Sequence, residues 1–318
     1  MNGTVLPNAW DIDLDIPVIG FATPQGNALL RIYGVSIQEV SQANNWAKKN
    51  IAVYAGMAKG LPLATLQSTQ SGLIARGYVL QCFGNRIGLD QTLDFVIQTG
   101  PATSTQTGGT GTVYQPKNLV LNWPMGTPLS GPLQNALQTA FPGVSVSVNI
   151  SPAIVNSSLF VKPYPTLQAL AQDVLEISLN IVKTSNYPGV AIVFGPNGIY
   201  AFDGTAPAAS SSSSGAAAGP TQIQFSDMIG QPTWIESPLI QFKTVMRADV
   251  TVGGKIILPP TLIVNTAAAA PSLINQQVSF QGGFTLANLR HVGRFRNPLG
   301  DAWVTVEEAY PNQIQAAA

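Results

Sequence analysis

Few side chains in this 318-residue sequence can do chemistry, and they fall into small groups. Asp11, Asp13 and Asp15 alternate with Ile12, Leu14 and Ile16. On a strand, where successive side chains take opposite faces, the carboxylates form a comb on one face and the aliphatics a stripe on the other. Carboxylates two residues apart lie roughly 7 Å from each other, too wide for a calcium ion without further ligands, so metal binding is the least favoured reading. A solvated face, a rim that repels a polyanion, or a surface that pairs with a neighbouring subunit remain open. Arg290, His291, Arg294 and Arg296 form the dense basic cluster. Phe295 is the one aromatic inside it and no basic stripe continues it, so pairing of arginines with carboxylates at a subunit contact outranks nucleic-acid binding.

Other catalytic arrangements lack parts. With one cysteine, Cys82, no disulfide can form within the chain, and a Cys/His zinc site would need several subunits. In GYVLQCFGN, Cys82 reads as a buried apolar residue rather than a reactive thiol. The single histidine, His291, has no GxSxG elbow to serve. Glu307 and Glu308 are adjacent on a strand, so they point to opposite faces and cannot form a glycosidase pair. GGTGT at 108–112 lacks the strand-loop-helix setting and the GK[ST] ending of a phosphate loop. No catalytic residue, cofactor or metal ligand is expected.

The elements that must position these groups are built from an unusual composition. Charged residues make up 9% of the chain, against about a quarter in an average globular protein. Fifteen Lys plus Arg balance fifteen Asp plus Glu, so no global field steers the chain to a polyanion or an anionic membrane. Hydrophobic residues at 45% exclude disorder over most of the length. No signal peptide is expected at the start, nor a membrane segment, since no apolar run reaches the span of about 20 residues a bilayer needs.

Residues 1–127 read mainly as strands: DIDLDIPVI, ALLRIYGVSI, LIARGYVLQCFG and LDQTLDFVIQTG, with a helical turn at SQANNWAKKN and a hairpin from KKNIAVYAGM into LPLAT. A Gly/Thr-rich loop spans 103–116. Residues 128–204 change period. Leu133, Leu137 and Phe141 mark a helix ended by Pro142-Gly143. SVSVNISP alternates as a strand. Thr166 caps the longest helix, with Leu167, Leu170, Val174 and Ile177 as its stripe, and two strands flank a turn at Gly195–Gly198. Residues 205–220 are a Ser/Ala/Gly-rich flexible loop, and 221–318 return to strands, with a hairpin expected at Val252–Lys255. The fold class is mainly β with a small α/β insertion, two β modules flanking it.

In the last module, FSDMIGQPTWIESPLIQFKTVMRADVTVGGKIILPP (225–260) and FQGGFTLANLRHVGRFRNPLGDAWVTVEEA (280–309) resemble the hub proteins of phage baseplates. The matching positions are Phe242, Met246, Arg247, Asp249, Gly253, Ile256, Leu258 and Pro259, then His291, Gly293, Arg296, Trp303 and Thr305. The middle segment, AFPGVSVSVNISP with the helix after Tyr164 and the strands around Gly198, also looks like that family, so that the likeness covers roughly residues 120–310. The resemblance implies two tube-like β-barrel domains, at 1–127 and 221–318, and a structural role without catalysis. It further implies a homotrimer whose pseudo-sixfold ring adapts a hexameric tail tube to a trimeric central spike. Such a ring sits among other baseplate proteins and passes viral DNA through its channel without specific binding. The chain would be made in the host cytoplasm and reside in the virion's tail baseplate. Lumen or subunit contacts are then expected at Asp11, Asp13, Asp15, Arg247, Asp249, Arg290, His291, Arg294 and Arg296. The alternative is a tail-associated carbohydrate-binding or cell-wall-degrading component, which needs tryptophan or tyrosine platforms, or a separated carboxylate pair. The five tryptophans are scattered.

Overall fold

The structure is a computed structural model that describes residues 10–18, 26–57, 70–100, 118–184, 187–195, 198–204, 220–236, 239–259, 282–295 and 297–311. The first strands are β1 (Asp11–Val18), β2 (Asn27–Tyr33), β3 (Asn50–Ala55), β4 (Gly72–Ile87) and β5 (Asp90–Thr99), with helix α1 (Ile37–Ser41) after β2. The middle of the chain supplies β6 (Val120–Trp123), α2 (Ser130–Ala140), β7 (Val146–Asn149), β8 (Phe160–Pro163), α3 (Leu167–Val182), β9 (Ala191–Gly195) and β10 (Gly198–Phe202). The last strands are β11 (Thr221–Gln222), β12 (Thr233–Glu236), β13 (Leu239–Val245), β14 (Lys255–Leu258), β15 (Gly282–Arg294) and β16 (Trp303–Pro311). The fold is mainly β with a small α/β part.

Strands from the two ends of the chain join in one sheet, ordered β12-β13-β16-β15-β1-β2-β5-β4-β3, with β14 on the first half of β15 and β11 beside β14. β1 is the seam. It runs antiparallel to β2 on one side and to the second half of β15 on the other, so that Asp13 lies opposite Arg31 and also opposite Arg294. The alternation of β1 explains why it can serve there: Leu14 and Ile16 are buried while the three aspartates are half-exposed. The chain also closes back on itself. After β13, the Met246 N–H donates to the Trp303 carbonyl (3.0 Å) and the Ala248 N–H to the Gln70 carbonyl (2.9 Å). This short segment ties the start of β16 to the residues entering β4.

Three sets of buried side chains follow. Leu14, Ile16, Leu30, Val79, Phe95 and Ile97 pack with Met246 inside the first strands, and Cys82 is buried among them as expected. Trp123, Leu133, Leu137, Phe141, Leu170 and Val174 form the core of the middle part. Phe242, Ile256, Leu258, Phe284 and Leu286 pack with Val193 and Phe202. Each such side chain contributes about 1.5–3 kcal/mol by leaving water, which offsets the entropy of ordering the chain around it.

The two longer helices, α2 and α3, fall where the sequence places them. Thr166 caps α3, its Oγ1 accepting from the Ala169 N–H at 3.1 Å, and Phe141 ends α2. Two expectations fail. ALLRIYGVSI is not one strand: Gly34 takes a positive φ of 73°, and Ser36 with Glu39 forms a capping box that starts α1. Val252–Lys255 does not join a hairpin, because β13 pairs with β12 and β16 while β14 pairs with β15 and β11. There Gly253, at φ 80°, lies where a Cβ would meet the Phe202 ring at 2.7 Å, and its N–H donates to the Leu286 carbonyl at 2.7 Å. β3 pairs with β4, and LPLAT lies outside the described residues, as do 103–116 and nearly all of 205–220.

Candidate functional site

The aspartate comb meets two members of the basic cluster, Arg290 and Arg294, on one face of β15, β1, β2 and β5. The pairing register sets Arg294, Asp13, Arg31 and Asp94 side by side across these four strands, alternating in sign. Arg31 holds Asp94 in a two-pronged ion pair (Nε–Oδ1 2.7 Å, Nη2–Oδ2 2.8 Å), and Asn85 donates to the same carboxylate at 2.9 Å. Arg294 Nε lies 3.5 Å from Asp13 Oδ1, while the Tyr33 hydroxyl donates to Asp13 Oδ2 at 2.7 Å and the Arg294 guanidinium sits over the Tyr33 ring. One step along, Arg290 grips Asp15 with Nε and Nη2 at 2.7 and 2.6 Å. Arg31 and Arg290 are raised above their ordinary pKa chiefly by these carboxylate bonds, and Tyr33 is raised by its bond to Asp13. The face is therefore charged yet internally compensated. Its exposed pairs are worth under about 1 kcal/mol each.

The opposite face of β15 carries a second polar group, and this one is inside. Arg247 is 2% exposed. Its Nε and Nη2 donate to Asp249 at 2.7 and 2.6 Å, its Nη1 lies 3.4 Å from Asp227 Oδ2, and its backbone N–H donates to Thr305 Oγ1 at 3.1 Å. Gln70 Nε2 donates to the same Asp227 oxygen at 3.0 Å, so the group binds the residues entering β4 to a 3-10 turn at Phe225–Asp227. His291 Nδ1 contacts Thr305 Oγ1 at 3.0 Å, and Thr244 Oγ1 donates to Glu307 Oε1 at 2.5 Å. Burial lowers His291 to about 4 and pushes Glu307 well above the ordinary carboxyl range. For Arg247, burial is the largest influence and works against the charge, but the Asp249 bonds together with the nearby charges of Asp249, Glu307 and Asp227 hold the guanidinium above its usual value.

These positions correct part of the expectation. Arg247 and His291 lie inside a single chain, and neither can present its side chain to a lumen or a neighbour. Asp13, Asp15, Arg290 and Arg294 face outward but pair with one another, where the sequence treated acids and arginines as separate contact points. Asp11 lies on the same face, opposite Tyr33, and Arg296 is outside the described residues. Glu307 and Glu308 take opposite faces: Glu307 is buried, and Glu308 accepts from Gln241 and Asn288. Sequence reasoning missed Arg31, Asp94, Gln70 and Asp227. Arg31 had a signal, being the one charge of β2, and Asp94 a weaker one, as a carboxylate between Leu93 and Phe95 on β5. Gln70 and Asp227 had none, since their pairing spans 157 residues between irregular segments.

Most positions that carry the family resemblance are packing positions. Phe242, Met246, Ile256, Leu258 and Thr305 are buried. Gly293 sits where a Cβ would come within 2.5 Å of the Trp303 ring and 2.9 Å of Met246, so only glycine lets β15 pass the indole. Trp123 is buried with its indole N–H on the Thr127 carbonyl, and Trp46 packs edge-on against Phe95. A groove of about 490 Å³ between β6 and α2 is lined by Asn118, Asn122, Asn135 and other uncharged residues. No group of three or more His, Cys, Asp or Glu among the described residues is placed to hold a metal. No helix among them is long and apolar enough to cross a membrane.

No protein-family model and no curated protein matches the sequence. Among solved structures, the chain is similar to the E. coli c3393 protein, described as a component of the type VI secretion system with structural similarity to the T4 bacteriophage tail proteins gp27 and gp5. The TM-score is 0.49 at 7% identity, over 98% of this chain and 76% of that one. It is also similar to the tail protein from Neisseria meningitidis MC58 (TM-score 0.43, 9% identity, 95% of this chain and 92% of that one). A third is the 43 kDa tail protein of prophage MuSo2 from Shewanella oneidensis (TM-score 0.43, 8% identity, 96% of this chain and 98% of that one). Two of these three are named as tail proteins and the other is described as similar to tail proteins.

Proposed function

We propose that the chain is a structural component of a phage-type tail, a baseplate hub that forms a homotrimeric ring between tail tube and central spike. The observation that carries this reading is the convergence of the hub-like sequence positions on one joint. Met246, Arg247, Asp249, His291, Gly293, Trp303 and Thr305 lie together where the C-terminal strands meet the N-terminal ones. A subunit that fills two of six positions in a ring needs two strand sets held at a fixed angle, and this joint is a means of fixing it. The units are those read from the sequence: a tube-like set in 1–127, a small α/β unit in 128–204, and a second tube-like set in 221–318.

The compensated face of β15, β1, β2 and β5 we assign to the DNA channel rather than to a subunit contact. Its arginines already hold aspartates of the same chain, so it offers a neighbour no unpaired arginine and a passing polyanion no basic stripe. The role requires no chemistry on bound substrate. Co-expression with the tail-tube and spike proteins of the same tail, followed by native mass spectrometry, tests the reading. A ring of three chains that binds both partners is expected. A chain that remains monomeric with both partners present, or that hydrolyses peptidoglycan, contradicts it.

A further inference from the structure

The buried group around Arg247 contains more acid than base. Asp227, Asp249 and Glu307 surround one guanidinium, and His291 on β15 is held neutral by burial. The guanidinium is already committed: Nε and Nη2 to Asp249, Nη1 to Asp227. Asp227 also takes the Gln70 amide on the oxygen that meets Arg247, its Oδ1 having no partner, whereas Glu307 accepts from Thr244 on β13 alone, from its hydroxyl and its backbone N–H. The Oε2 oxygen of Glu307 has no hydrogen-bond partner, and the residue is 0% exposed. A fully buried carboxylate with one neutral residue donating to it and no direct ion pair is far costlier than a neutral carboxyl in the same place. The remaining groups that face it, Thr305 on β16 and His291 on β15, engage each other.

We propose that Glu307 is a built-in proton site: the folded chain keeps this carboxyl protonated at neutral pH, and its ionisation loosens the 246–248 segment that joins the C-terminal strands to the residues entering β4. On ionisation the O–H bond of the carboxyl breaks, the electron pair stays on Glu307 and the proton passes to solvent. The new anion then competes with Asp227 and Asp249 for Arg247. Arg247 stands between Met246 and Ala248, whose N–H groups make the two closing hydrogen bonds, so a guanidinium drawn from Asp227 and Asp249 moves the backbone that closes the strands. This inference concerns a single chain and does not depend on the hub reading.

Infrared spectroscopy of the full-length protein at neutral pH tests it, because exposed carboxyls are then ionised and only a protected one shows the carbonyl stretch of a protonated acid. The wild type is expected to show that band, Glu307→Gln to lose it, and Asp227→Asn to keep it. Hydrogen exchange of the Met246 and Ala248 amides, corrected for the intrinsic rise of exchange with pH, should accelerate on the alkaline side in the wild type and stay flat in Glu307→Gln. Absence of the band in the wild type overturns the proposal whether or not any variant folds. So does a band that vanishes in Asp227→Asn and survives in Glu307→Gln, or an alkaline loosening that persists in Glu307→Gln.

Discussion

The outward and buried arginine–carboxylate groups lie on opposite sides of β15 and contain similar residues, yet physics treats them differently. Outside, Arg290–Asp15 and Arg31–Asp94 have excellent two-pronged geometry, but water screens them and their side chains pay entropy to stay in place. Inside, Arg247 makes bonds of the same lengths to Asp249 while itself only 2% exposed. There the same bonds are hard to replace, because removing one partner strands the others without solvation. Identical distances thus carry different consequences, and burial decides which cluster fixes the fold.

Replacing Arg247 should break this contrast most visibly. Arg247→Met leaves Asp227 and Asp249 without their cation and is expected to cost about 3–5 kcal/mol in equilibrium urea unfolding. The pH dependence comes next. His291 is lowered to about 4, so its stabilising contribution is complete above the ordinary histidine pKa of about 6.5 and is lost as pH falls through the folded value. That loss is on the order of 3 kcal/mol, and it should disappear from the acid limb of the stability profile in His291→Asn. Glu307 has the opposite sign, since its raised pKa gives a contribution that is full below the ordinary carboxyl value and lost as pH rises through the folded one. Gly293→Ala forces a methyl against Trp303 and should cost about 1–3 kcal/mol by overpacking, read as a lowered thermal midpoint with a shifted tryptophan emission. Arg290→Met should cost under about 1 kcal/mol, with the difference from wild type shrinking as salt is added.

The sequence revealed much of this arrangement where periodicity or capping spoke locally. The comb at Asp11–Asp15 predicted the orientation of β1, and Thr166 predicted the start of α3. Adjacent Glu307 and Glu308 were rightly placed on opposite faces. What could not be read was partnership across distance. Alternation places Asp15 and Arg290 on strand faces but not 2.6 Å apart, since that requires knowing that β1 inserts between β2 and β15. The same limit made Arg247 and His291 look like surface charges. An arginine in KTVMRADV belongs inside only once Asp227 and Gln70 arrive from remote segments to satisfy it. The hairpin expected at Val252–Lys255 failed for a related reason: the chain turns there, but its glycine answers to Phe202 on β10 and the flanking strands do not pair.

The claim that the buried arginine, rather than the outward ion pairs, holds the two strand sets together is tested most directly by hydrogen exchange at the Met246 and Ala248 amides in Arg247→Met and Arg290→Met, compared under conditions where both remain folded. The account predicts that these two amides lose protection in Arg247→Met and keep it in Arg290→Met. Protection that survives the loss of Arg247, or falls equally in both variants, would contradict it.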